Sequence, residues 1–248
     1  MAMIPNAFYT GRGGRDPSVR DRLPTVDPDA LRSPDRYRAS TELAAAVDVA
    51  LTLGMPLLLT GEPGSGKSGL ADSLAWEIGL GEVLKFSVKS DTESRDLFYR
   101  FDTVGRFHAA QTRPGDRAAV DPARFIAFEA LGKAILLAKD RTKLLELGLQ
   151  DHVPGDSKEQ RRSVVLIDEI DKADSDVPNA LLDVLGNRSF SVPPLGHRTV
   201  RCTGQLPLII ITTNEERELP AAFVRRCAVL NLNPPTDDHS LLTWLIER

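Results

Sequence analysis

Cysteine is nearly absent from this chain: Cys202 and Cys227 are the two found in 248 residues. With no pairing pattern between them, a disulfide-stapled secreted scaffold is excluded and a reducing compartment is expected. Histidine is almost as scarce, and His108, His152, His197 and His239 lack the spacing of metal ligands. No apolar run approaches the roughly 20 residues that a membrane helix requires. The N-terminus carries Pro5, Arg12 and Arg15 and no apolar stretch of the kind found in signal peptides, so a cytoplasmic protein is the simplest expectation. A surplus of positive charge is missing too. The net charge of −4 offers no global attraction to nucleic acid, which argues against a nucleic-acid partner. No N-K-x-D segment of the kind that reads guanine occurs. The 42% hydrophobic content is enough, at this length, for one substantial α/β core or a core with a small appendage.

What is present centres on eight residues, Gly61, Glu62, Pro63, Gly64, Ser65, Gly66, Lys67 and Ser68, followed by Gly69. They match the phosphate-loop pattern G-x-x-x-x-G-K-[ST] without departure. Such glycines let consecutive backbone N–H groups point at polyphosphate oxygens. Lys67 adds a positive charge near the β and γ phosphates, and the Ser68 hydroxyl is suited to ligate Mg²⁺. The context agrees with the pattern. The apolar run Pro56 to Thr60 precedes it as a strand, and Leu70, Ala71, Leu74, Ala75 and Ile78 follow at helical spacing.

Upstream, residues 1–34 are rich in Pro, Gly, Arg and Asp and read as an irregular arm; Arg12, Arg15, Arg20 and Arg22 are interleaved with Asp16 and Asp21. Ser40 or Thr41 is expected to cap a helix carrying Leu43, Val47, Ala50 and Leu51 on one face until Gly54. Downstream, residues 83–88 read as a second strand. Between Asp96 and Gln111, Phe98, Tyr99, Phe101 and Phe107 alternate with Arg95, Arg100 and Arg106. This stretch either grips a polymer by stacking and charge or packs its aromatics on the core. Phe125, Phe128, Gly132, Ile135 and Ala138 predict a long helix, and residues 151–162 a polar surface connection.

Val164 to Ile167 then form a buried strand that ends on Asp168 and Glu169. Ligands bind at the carboxyl ends of strands in open parallel sheets, so these acids are expected to face the phosphate loop. Asp168 would hold Mg²⁺ and Glu169 would take a proton from the attacking water; the neutral alternative is that Asp168, Glu169 and Asp171 begin a solvated helix. A helix over residues 179–185 ends at Gly186. Residues 190–192 and 199–201 form either a hairpin or a meandering loop. A third buried strand runs from Leu208 to Asn214, where Asn214 either positions water and senses the γ phosphate or is a turn residue. Arg225 and Arg226 precede a fifth strand over residues 228–232, and Pro234-Pro235 opens a last helix.

This ordered set resembles an AAA+ ATPase module, most closely its MoxR-like branch, from about Tyr37 to Pro235. The resemblance implies an α/β fold: a P-loop NTPase three-layer αβα sandwich with a five-stranded parallel sheet in the order 5-1-4-3-2. It implies a nucleotide-binding domain over 35–235, following the irregular arm over 1–34; where the family carries a helical lid, residues 236–248 depart from it and are expected to begin a truncated or reduced one. ATP and Mg²⁺ are the implied ligands, and Gly61 to Ser68 correspond to Walker A. Asp168 and Glu169 correspond to Walker B and Asn214 to sensor 1. One of Arg225 and Arg226, with Arg226 favoured, corresponds to the finger that completes a neighbour's site. The implied assembly is a homo-oligomer, commonly a hexameric ring, that turns over ATP to remodel a protein partner. A nucleotide-gated scaffold with little or no hydrolysis is the alternative.

Overall fold

The computed structural model describes residue 18 and residues 33–112, 116, 118–153, 160–202 and 206–233. The arm expected over 1–34 lies, apart from Ser18, Ser33 and Pro34, outside the described residues, as does the lid expected over 236–248. The described helices and strands belong to the unit that begins at Pro34.

Helix α1 (Thr41–Leu53) starts where the Ser40 hydroxyl accepts a hydrogen bond from the Leu43 N–H at 3.2 Å, and it buries Leu43, Val47 and Ala50. It leads into strand β1 (Leu57–Thr60), buried at every position. Helix α2 (Lys67–Ile78) follows the phosphate loop, and strand β2 (Leu84–Ser87) comes next, two residues shorter than its sequence pattern. Strands β3 (Tyr99–Phe101) and β4 (Ile126–Phe128) flank helix α3 (Thr103–Thr112). Helices α4 (Ala130–Leu137) and α5 (Arg141–Glu146) lead to strand β5 (Val164–Asp168) and helix α6 (Asp176–Asn187). Strands β6 (Ser189–Val192) and β7 (Arg198–Arg201), strand β8 (Leu208–Thr212), helix α7 (Ala221–Val224) and strand β9 (Ala228–Asn231) complete the described chain.

Among the described residues, five strands form a parallel sheet in the order β2-β5-β8-β1-β9. Counted along the chain this is 5-1-4-3-2, the expected order. Its central strands are uninterrupted apolar runs because both faces are covered. Leu57, Leu59, Val164, Leu166, Leu208 and Ile210 face one core with Leu43 of α1 and Leu70 and Leu74 of α2. Leu58, Val165, Ile167, Ile209 and Ile211 face the other, with Ile135 of α4 and Leu181 of α6. Each such fully buried side chain contributes about 1.5–3 kcal/mol of burial, and a one-residue slip in register would exchange the faces. The alternation therefore holds β1, β5 and β8 in one register, with their carboxyl ends side by side.

Three expectations change. The helix predicted from Phe125 to Ala138 begins only at Ala130, because Asp121 caps a single turn over Pro122–Phe125 and the next three residues pair antiparallel with β3, Tyr99 opposite Phe128. Gly132 lies in α4 where a Cβ would stand 2.0 Å from the Phe98 carbonyl oxygen, so helix and backbone meet only through a glycine. Helix α6 runs through Gly186 to Asn187 and ends on Arg188 in the left-handed region at φ 51°. The polar connection expected over 151–162 begins with a turn whose Val153 is buried with Leu149; residues 154–159 lie outside the described residues. Residues 190–192 and 199–201 do form an antiparallel hairpin.

In the aromatic stretch, packing dominates. Phe98 and Tyr99 are buried, Phe101 is partly buried against the core, and Phe98 stacks on Phe190 with ring centroids 5.0 Å apart. Phe107, on α3 beside Val104, is exposed.

Candidate functional site

The phosphate loop connects β1 to α2, with its start held against the segment after β9. Gly61 has φ 127°, and a Cβ there would stand 2.9 Å from the backbone oxygen of Leu232 and 3.0 Å from its carbonyl carbon. Moving the Asn233 side chain, 3.1 Å away, would not relieve these backbone contacts, so the close approach requires glycine. Glu62, Pro63 and Gly64 are exposed, Ser65 is buried, and Gly66 precedes α2 at φ 82°. Gly69 lies in the first turn of α2 against the Tyr37 ring.

Lys67 opens α2 and is 6% exposed. Its ammonium donates to the Gly61 carbonyl at 2.6 Å and the Glu62 carbonyl at 2.8 Å, folding back over the loop. Burial lowers its pKa, against the opposing fields of Asp168, Asp171, Glu215 and Glu169. The next residue, Ser68, donates its hydroxyl proton to Asp168 Oδ1 at 2.9 Å.

Asp168 ends β5, and its Oδ1 also accepts a hydrogen bond from the Thr212 hydroxyl at 2.6 Å. Thr212 in turn accepts from the Glu169 N–H at 2.9 Å. Glu169 itself lies in the left-handed region, φ 59° and ψ 53°, a conformation non-glycine residues rarely adopt. That turn sends its carboxylate toward two donors: Lys172 Nζ at 2.5 Å from Oε2, and Asn214 Nδ2 at 3.3 Å from Oε1. The bond to Glu169 raises the Lys172 pKa.

Asp171 does not begin a solvated helix. It is 1% exposed, and its Oδ2 accepts the backbone N–H groups of Asn214 at 3.1 Å and Glu216 at 2.9 Å. Ser68, Asp168, Glu169 and Asn214 are thus linked through Thr212 at the carboxyl ends of β5 and β8, while the Lys67 ammonium is held by the loop that follows β1. Arg225 and Arg226 are not joined to them by any hydrogen bond or ion pair among the described residues. Both are exposed at the end of α7, where Arg226 donates to the Ala222 carbonyl at 3.2 Å, and Arg225 lines a cleft of about 790 Å³ with Leu58, Leu219 and Val229.

Sequence reasoning missed Thr212, Asp171 and Lys172 as members of this network. For Thr212 a signal was present: a polar residue closes an apolar run in the strand beside β5, one step beyond the Ile167–Ile211 pair. Nothing local separates Asp171 from a surface acid.

The loop and carboxylates fit a polyphosphate with a hard divalent cation. The buried Ser65 hydroxyl has no partner among the described residues, a buried ammonium leans on carbonyls it could exchange for anionic oxygens, and Ser68 with Asp168 supplies oxygen donors. Magnesium is commonly held in this way, by one or two protein oxygens plus substrate phosphates and water. No cluster of three or more His, Cys, Asp or Glu side chains suited to a metal occurs among the described residues. Nor is any described helix long and apolar enough to cross a membrane.

Comparison with known proteins adds a family. Residues 56–227 match the AAA domain (dynein-related subfamily). No curated protein matches the chain. Among solved structures, a protein from Cytophaga hutchinsonii described as a "putative ATPase" is 15% identical, with a TM-score of 0.47, over 88% of this chain and 53% of its own. The chain therefore spans about half the length of that protein.

Proposed function

This chain belongs to the AAA domain family, dynein-related subfamily, and from that premise we propose that it binds ATP with Mg²⁺ and hydrolyses the terminal phosphoanhydride bond. The observation that carries the reading is the hydrogen-bonded chain Ser68–Asp168–Thr212–Glu169–Asn214 beside the buried Lys67 ammonium. Lys67 leaves its two carbonyls for the β and γ phosphate oxygens and neutralises their charge. Ser68 and Asp168 would hold Mg²⁺, which when bound withdraws charge from those oxygens. Glu169 accepts a proton from the water whose oxygen bonds to the γ phosphorus, while the electron pair of the broken bond leaves with ADP. Asn214 orients Glu169 and that water.

The finer reading is a MoxR-like protein with a nucleotide-binding domain over 35–235 and a helical lid beginning at 236–248. It assembles into a ring, commonly hexameric, and uses ATP turnover to remodel or activate a protein partner in the cytoplasm. Arg226, exposed and bonded to the Ala222 carbonyl, serves as the finger for a neighbour's γ phosphate; fingers of this kind raise rates about 10³- to 10⁵-fold. A switch with slow turnover is the second reading, favoured by the engagement of both Glu169 oxygens, by Lys172 and by Asn214.

The test is the ATPase rate per subunit across a wide range of protein concentration, with Glu169→Gln and Arg226→Ala in parallel. A rate that rises with concentration, and that is lost in both variants while ATP still binds, is the expected result. A constant rate unaffected by Arg226→Ala would overturn completion between subunits, and normal turnover in Glu169→Gln would move the base elsewhere. ATP binding without turnover would select the switch.

A further inference from the structure

We propose that Asp171 is a positioning residue for hydrolysis, holding Asn214 against Glu169; this rests on the reading of Glu169 as the base. Glu169 enters the turn over Ile170–Lys172 in a left-handed conformation, and the turn carries Asp171 inward until it is 1% exposed. There one oxygen, Oδ2, accepts from the N–H groups of Asn214 and Glu216. The residue between them, Glu215, is itself left-handed at φ 62°, and its N–H is taken by the Thr213 hydroxyl at 3.0 Å. A non-glycine turn of this kind persists only where its surroundings hold it, and the carboxylate supplies two charge-assisted bonds for that purpose.

The consequence reaches Glu169 through Asn214. Asp171 holds the Asn214 backbone, the Asn214 amide donates to Glu169 Oε1 at 3.3 Å, and Glu169 and Asp171 are two residues apart on the same turn. The three residues close a ring of bonds that, together with Lys172 on Oε2, fixes where the base points. Without Asp171 the turn over Thr213–Glu216 is free to relax and Asn214 loses its placement. Asp171 makes no hydrogen bond to the phosphate loop among the described residues and reaches it only through its field at Lys67, so its loss is expected to change nucleotide affinity far less than turnover.

The experiment compares Asp171→Ala, Asp171→Asn, Asn214→Ala and the Asp171→Ala/Asn214→Ala double variant with the unaltered chain and with Glu169→Gln, measuring kcat, KM, ADP affinity and amide hydrogen exchange. Misplacing a reacting group by about 1 Å costs on the order of 10² in rate, and that is the fall in kcat expected for Asp171→Ala, with ADP affinity changed far less. Asp171→Asn, which keeps a carbonyl acceptor, restores part of it. The double variant is expected to be no slower than Asn214→Ala, because both act through one geometry. Exchange at the Asn214 and Glu216 amides accelerates in Asp171→Ala while that of β8 does not, a readout independent of turnover. Unchanged kcat, kcat and ADP affinity lost together, multiplicative effects in the double variant, or unchanged exchange at those two amides would each overturn the inference. Normal turnover in Glu169→Gln would instead remove the reading beneath it.

Discussion

Replacing Thr212 with valine keeps the shape of the side chain and removes one hydroxyl on which two strands depend. That hydroxyl donates to Asp168 at 2.6 Å and accepts from the Glu169 N–H at 2.9 Å, in a residue 1% exposed. Asp168 keeps Ser68 as a donor, so its loss falls at the low end for a bond to a charged group, about 1.5 kcal/mol. The Glu169 N–H is left without its partner, at a further cost of about 1–2 kcal/mol. The sum, about 3 kcal/mol, is a large part of the roughly 5–15 kcal/mol that holds a domain folded, and it lowers Tm by about 6–12 °C at this size. Thr212→Ser is the control. It keeps the hydroxyl and loses one methyl, at about 1 kcal/mol. Urea unfolding, at constant m, should therefore separate the two variants by about 2 kcal/mol. If valine unfolds within about 0.5 kcal/mol of threonine, or serine costs as much as valine, the hydroxyl does not join β5 to β8 as argued.

Lys67→Ala is expected to abolish ATP binding, since the ammonium folded over Gly61 and Glu62 is the cation nearest the loop's carbonyls; unchanged nucleotide affinity by calorimetry would remove the phosphate-loop reading. His152 makes a prediction about pH. Burial, edge-on to Phe128 at a centroid distance of 5.1 Å, pushes its pKa below the ordinary value despite the nearby Asp151 and a backbone bond to Ala123. The unfolded chain takes up that proton first, so stability present above about pH 6.5 is lost as the pH falls toward the folded pKa. His152→Gln should flatten this acid-side slope in urea titrations; an identical slope would place the coupling in other groups.

Much of the site was legible in the chain because its chemistry is written locally. A loop needing glycine backbone, a lysine and a hydroxyl side by side forms a contiguous pattern, and a fully apolar run ending in two acids marks the end of a strand covered on both faces. The sheet order followed from the resemblance those patterns carry. Harder to read were the places where contacts across the fold outweigh local periodicity. Phe125 to Ala138 has helical spacing throughout, yet Ile126 to Phe128 is a strand because Tyr99 to Phe101 offers it a partner. Gly186 is a plausible helix end, yet α6 continues to Asn187 and stops on a left-handed Arg188.

The chain alone thus determined the loop, the carboxylate pair and the alternation that sets the strand register, since each depends on neighbours within a few residues. Only the tertiary structure decided what Thr212, Asp171 and Lys172 do. Their partners arrive from other strands and turns: Thr212 reaches Asp168 across two parallel strands, and Asp171 meets Asn214 and Glu216 across the loops that follow β5 and β8. Lys172 is three residues from Glu169, and in the turn that Glu169 opens in a left-handed conformation their side chains stand 2.5 Å apart. A carboxylate accepts bonds equally well from water and from buried amides, so its role becomes fixed only when the surrounding fold excludes the water.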